Sequence, residues 1–130
     1  MQNNPVAWFE IYVQDMDRAK AFYEAVLQIT LKHLAPPEDQ PAEQAITMCA
    51  FPMSDGHYGA SGALAKMEGV TPGGGGTLVY FSCEDCALEA ARAAEHGGSV
   101  VQEKMPIGEY GFMALVNDTE GNMIGLHSMQ

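Results

Sequence analysis

The sequence predicts an α+β fold made of two tandem βαβββ modules. Strand-like and helix-like segments follow one another in the same order twice. Asp15 and Asp85 each stand at a strand-to-helix junction, and a glycine-rich stretch parts the two runs. A strand–helix–three-strand unit has one sheet face that its helix leaves uncovered. Two such units side by side would bury that face in a curved mixed sheet, with a concave pocket inside and the helices outside. Module one is expected over residues 5–68, a linker over 69–76 and module two over 77–129, all within a single domain, 1–130.

The elements follow in order. Residues 6–13 (VAWFEIYV) are apolar, β-branched and aromatic, which favours a strand. Asp15 then caps a helix whose Ala19, Phe22, Tyr23 and Val26 recur at helical spacing. A second strand is expected at 29–35, stopped by Pro36 and Pro37, and PPEDQPAEQ reads as a polar loop. Residues 45–53 and 60–67 form the third and fourth strands, with SDGHYG as the turn between them. The run EGVTPGGGG leads into a strand, whereas a phosphate-cradling glycine loop opens onto a helix, so it reads as a linker. Module two then repeats the order. A strand at 77–83 meets the cap Asp85, and the helix through ALEAARAAEH stops at Gly97-Gly98. Strands at 99–104 and 109–117, the turn DTEG and a last strand in NMIGLHS complete the module.

Composition narrows the function. Apolar residues make up 47% and charged residues 18% of the 130, enough to bury a core and fold. Seventeen acids against six bases give a net charge of -11, which repels phosphate backbones and excludes nucleic-acid binding through a basic face. Anionic membrane surfaces are disfavoured for the same reason, and no apolar run approaches the roughly 20 residues of a membrane span. MQNNPVAWFE has neither a basic n-region nor an apolar h-region, and three cysteines fit a reducing compartment, so a cytoplasmic location is expected.

The string FEIYVQDMDRAKAFYEAVL resembles the opening of vicinal oxygen chelate proteins, the superfamily of glyoxalase I, extradiol dioxygenases and bleomycin-resistance proteins. NDTEGNMIGLHS resembles that superfamily's closing hairpin, and EHGGSVV its helix-to-strand passage. The resemblance spans nearly the whole chain and is greatest to the small glyoxalase-related members. It implies the tandem-module fold, a pocket for a small molecule and a homodimer. It also implies four metal-ligand positions, which fall here on Trp8, Gly62, Leu78 and Gly125, the second of these through the likeness of SGAL to IGLH. None of those side chains ligates a metal, so no metal and no other cofactor is expected at that site.

Other groups on the same faces remain. Side chains two residues apart on a strand share a face, so Glu10, Tyr80 and His127 should sit beside positions 8, 78 and 125. A carboxylate, a phenol and an imidazole in an apolar cup make a candidate acid–base set, and equally a buried pair that fixes the sheet. A divalent metal held by Glu10 and His127 with a third ligand such as His57 is the minority alternative. Trp8, Tyr12, Met48, His57, Tyr110 and Met113 are the candidate ligand contacts, with Trp8 as a stacking platform. The many methionines suit either an adaptable apolar pocket or core filling. Cys83 and Cys86 form a CxxC, but the acids between them would blunt thiol reactivity, and one such pair does not complete a zinc site.

Three functions are compatible with these residues. The first is a metal-independent lyase or isomerase acting on a small carbonyl compound, with Glu10 as base and His127 as acid. The second is a protein that sequesters an apolar or aromatic compound on Trp8 and Tyr80. The third is a structural dimer without a ligand.

Overall fold

The computed structural model describes residues 4–35, 46–53 and 59–130. They form two compact units, one of Trp8–Thr77 and one of Met1–Ala7 with Leu78–Gln130. Each is built on the βαβββ order, and the fold class is α+β. No helix among the described residues is long and apolar enough to cross a membrane.

The Trp8–Thr77 unit uses β1 (Val6–Tyr12), α1 (Met16–Leu27), β2 (Lys32–Leu34), β3 (Thr47–Ala50) and β4 (Ser61–Lys66). Its strand order is β2-β3-β4-β1, with β1 parallel to β4 and the other pairs antiparallel. Asp15 caps α1 by accepting a hydrogen bond from the Arg18 backbone N–H at 3.0 Å, which satisfies one of the donors that a helix start leaves open. Met16, Ala19 and Tyr23 of the helix pack with Ile11, Val13, Cys49, Leu64 and Phe51. Phe22, expected on that apolar stripe, is instead 58% exposed: the inner stripe follows residues 16, 19 and 23, and position 22 turns about 100° away from Tyr23. β2 is shorter than the expected 29–35, because residues 29–31 turn the chain out of the helix. Leu31 there is buried, and its N–H donates to Glu24 Oε2. The expected loop PPEDQPAEQ and most of the turn SDGHYG lie outside the described residues.

The other unit uses β5 (Thr77–Ser82), α2 (Cys86–Glu95), β6 (Ser99–Pro106), β7 (Phe112–Asn117) and β8 (Met123–Ser128). The order β5-β8-β7-β6 repeats the first pattern, again with one parallel pair, β5 with β8. Asp85 caps α2 through the Ala87 N–H and also accepts from Lys104 Nζ at 2.9 Å, which ties β6 to the helix start and holds the Asp85 carboxyl below its ordinary range. Cys86 and Ala90 of α2 bury Ala114, Val116 and Leu126 of the sheet. The strand expected at 109–117 begins only at Phe112, since residues 108–110 close a 3-10 turn and Gly111 takes φ +100°.

Candidate functional site

In each unit the sheet has a helix-covered face and an opposite face. Side-chain alternation assigns every strand residue to one of them. On β1, Ile11 packs under α1, so Trp8, Glu10 and Tyr12 share the opposite face. On β3 and β4, Cys49 and Leu64 pack under the helix, which leaves Met48, Ala50, Ala63 and Ala65 on the face of Glu10. Glu10 stands directly across from Ala63, and small alanines give it a narrow apolar floor.

Glu10 is only 4% exposed. Its two oxygens are held from its own strand. The Tyr12 hydroxyl donates to Oε1 at 2.7 Å and the Trp8 indole N–H donates to Oε2 at 3.1 Å. The i, i+2, i+4 spacing makes this arrangement possible, because it stacks the three side chains along one face. No ion pair reaches Glu10 among the described residues. Burial therefore outweighs the two donors and pushes its carboxyl above the ordinary value. A carboxylate oriented by two hydrogen bonds, with no counter-ion among the described residues, is suited to taking a proton.

In the other unit, Tyr80 stands opposite Gly125, and an added Cβ on Gly125 would overlap the Tyr80 ring. His127 is two residues along the same face, between Ser82 on β5 and Met113 on β7. Its Nε2 is hydrogen-bonded to the backbone carbonyl of Tyr110, whose own ring is largely exposed. The structure thus gathers Trp8, Glu10, Tyr12 and Met48 on the face of one unit that points away from its helix, and Tyr80, Met113 and His127 on the corresponding face of the other. His57 lies outside the described residues.

Sequence placed Gly62 at a family metal position, and the register corrects this. Gly62 pairs with Phe9 on the helix side, where an added Cβ would overlap the Phe9 ring. The pair Glu10–Ala63 corresponds to Tyr80–Gly125, so Ala63 is the residue that matches Gly125. Alanine ligates no better than glycine. Trp8, Ala63, Leu78 and Gly125 do not fit a metal, and no group of three metal-ligating side chains comes together among the described residues.

Two open cavities lie in the Trp8–Thr77 unit. One of about 260 Å³ runs between Arg18, Tyr23 and the Gly73–Gly76 turn, and one of about 430 Å³ lies along Met67–Thr71. Glu10 lines neither.

Of the CxxC pair, Cys86 is fully buried in the core and Cys83 is partly covered. Burial, with the Glu89 carboxylate second, pushes the Cys83 thiol up to about 11. The acid responsible is thus Glu89 on the helix and not the two residues inside the motif. Cys83 is expected to be alkylated more slowly than a free cysteine at mildly alkaline pH, as a timed iodoacetamide reaction would show.

Residues 6–126 match the model of the Glyoxalase/Bleomycin resistance protein/Dioxygenase superfamily. Solved structures of similar fold include methylmalonyl-CoA epimerase from Mycobacterium tuberculosis, at TM-score 0.65 and 15% identity over 97% of this chain and 88% of that one. A variant methylmalonyl-CoA epimerase of Streptomyces coelicolor in complex with 2-nitronate-propionyl-CoA has TM-score 0.65 and 17% identity over 96% of both chains. An uncharacterized Methanosarcina mazei protein has TM-score 0.59 and 13% identity over 98% of this chain and 95% of that one. Comparison with curated proteins returns no match.

Proposed function

The chain belongs to the glyoxalase/bleomycin resistance/dioxygenase superfamily, and we propose that it binds a small uncharged carbonyl compound and moves a proton on it without a metal. Glu10 is the proposed base of the Trp8–Thr77 unit, and His127 is a proposed acid–base group of the other unit. The observation that carries this reading is the Glu10 carboxyl, buried, held by Trp8 and Tyr12, and raised above its ordinary value. A base of raised affinity for protons can take one from a carbon beside a carbonyl and return it, as an isomerase or lyase requires. The solved epimerases of like fold invert a stereocentre, and proton removal and return is the simplest chemistry for that step.

Charge argues against a coenzyme A ester as the ligand here. The chain's six basic residues are Arg18, Lys20, Lys32, Lys66, Arg92 and Lys104. Three of them already face a carboxylate, Lys20 with Glu24, Arg92 with Glu89 and Lys104 with Asp85. With a net charge of -11, little is left to hold several phosphate charges. A thermal-shift series tests this. A small neutral carbonyl ligand should raise the melting temperature, because it binds only the folded form, whereas a coenzyme A ester should not. Turnover should then appear by proton NMR in deuterated water as loss of the ligand's C–H signal.

The second reading is sequestration. Trp8 stands across from Ser61 on the face of Glu10 and is only half-buried, so its indole is a surface on which an aromatic ring can stack. A ligand that stabilises the protein and exchanges no proton would favour it.

A further inference from the structure

We infer that the Ile107–Gly111 turn is a positioning device for His127: its Tyr110 carbonyl keeps a proton on Nε2, so that Nδ1 is the atom through which the ring gives or takes one. The functional half of this inference rests on the reading of His127 as an acid–base group. The structural half stands on its own geometry.

A backbone carbonyl oxygen only accepts hydrogen bonds, so the ring nitrogen facing it must carry hydrogen. Nε2 faces the Tyr110 oxygen, which makes Nε2 the donor and Nδ1 the acceptor of the neutral ring. The bond is retained when Nδ1 is protonated, because both nitrogens then donate. The carbonyl therefore favours no loss of orientation as the ring cycles between its two states.

The turn is built to aim that carbonyl. The Tyr110 oxygen belongs to the peptide plane that joins Gly111, so the φ of Gly111 sets where it points. Gly111 sits at φ +100° and ψ -127°, a region that L side chains rarely adopt. An added Cβ there would also run into the Ser128 carbonyl and come within 3.0 Å of the Met129 sulfur. Three backbone bonds lock the turn, Ile107 N–H to the Gly111 carbonyl at 2.9 Å, Gly111 N–H to the Gly108 carbonyl at 3.2 Å and Tyr110 N–H to the Ile107 carbonyl at 3.4 Å. The β7–β8 register pairs Met113 with His127 and Phe112 with Ser128, so the turn ends beside the imidazole. Gly111 is thus a positioning residue, acting through a backbone atom and touching no ligand.

The test is NMR of protein labelled with ¹⁵N in its histidine rings, with the His127 signals identified by their loss in His127→Gln. The expected result is a neutral ring with hydrogen on Nε2, a bare Nδ1 and an Nε2 hydrogen protected from solvent exchange. Gly111→Ala should reduce that protection at least tenfold. Tyr110→Phe should leave it unchanged, since the carbonyl remains. Hydrogen on Nδ1 in the native protein, or equal loss of protection in Tyr110→Phe, would overturn the inference. If Gly111→Ala does not fold, those two measurements still decide. A His127→Gln protein that exchanges ligand protons at the full rate would instead defeat the acid–base reading and leave the tautomer assignment standing.

Discussion

Glu10→Gln is expected to lower proton-exchange turnover about 10²–10⁴-fold, the usual contribution of a positioned general base, while the ligand still raises the melting temperature. Glutamine keeps the shape and one acceptor oxygen, so Trp8 or Tyr12 retains a partner, but it takes up no proton. The same variant has a stability signature whose sign follows from burial. Glu10 has a folded-state affinity for protons raised above the ordinary value of 4.5, so the protonated form is the one the fold prefers. Its stabilising contribution is fully present below 4.5 and is lost as pH rises through the higher folded value. The difference in stability between native protein and Glu10→Gln should therefore be most favourable to the native protein in acid, and move against it at mildly alkaline pH. Urea melts of both proteins at the two ends of that range measure it. A purely structural Glu10 would share that pH dependence, since its sign comes from burial, but no ligand would exchange a proton with either protein.

The carboxylate itself was legible because strand alternation is local. Once VAWFEIYV is read as a strand, Trp8, Glu10 and Tyr12 must share a face, and two donors flank an acceptor at the right spacing. The caps at Asp15 and Asp85 were legible for the same reason, since a cap bonds to a residue two or three positions away. Other features depend on what a strand meets across the sheet. The face of Gly62 is set by the β1–β4 register, which couples residues more than fifty positions apart, and a likeness of four residues misplaced it by one. The partner of His127 is a main-chain oxygen, which leaves no side-chain signal. Only the glycine in EYGF hinted at an unusual turn there. Phe22 shows a third limit: periodicity named four apolar positions on the helix, but the sheet covers a narrower stripe than the residues could fill.

Gly62→Ala should destabilise the Trp8–Thr77 unit by about 1–3 kcal/mol, the range for forcing extra volume into a packed core. The new Cβ would occupy space now filled by the Phe9 ring. That ring is not free to step aside, because Phe51 lies 5.3 Å from it and Tyr23 packs edge-on against Phe51 at 5.7 Å. The penalty should depend on Phe9. In a Phe9→Ala background the clash disappears, so a double-mutant cycle should give a coupling within about 0.5–3 kcal/mol. Denaturant melts of the four proteins provide it. Had Gly62 stood on the face of Glu10, as its likeness to Gly125 implied, the substitution would disturb ligand binding and show no coupling to Phe9. The cycle therefore checks the register that places Ala63, and not Gly62, across from the buried carboxylate. It does so without needing a substrate, because packing beneath the helix is all that it measures.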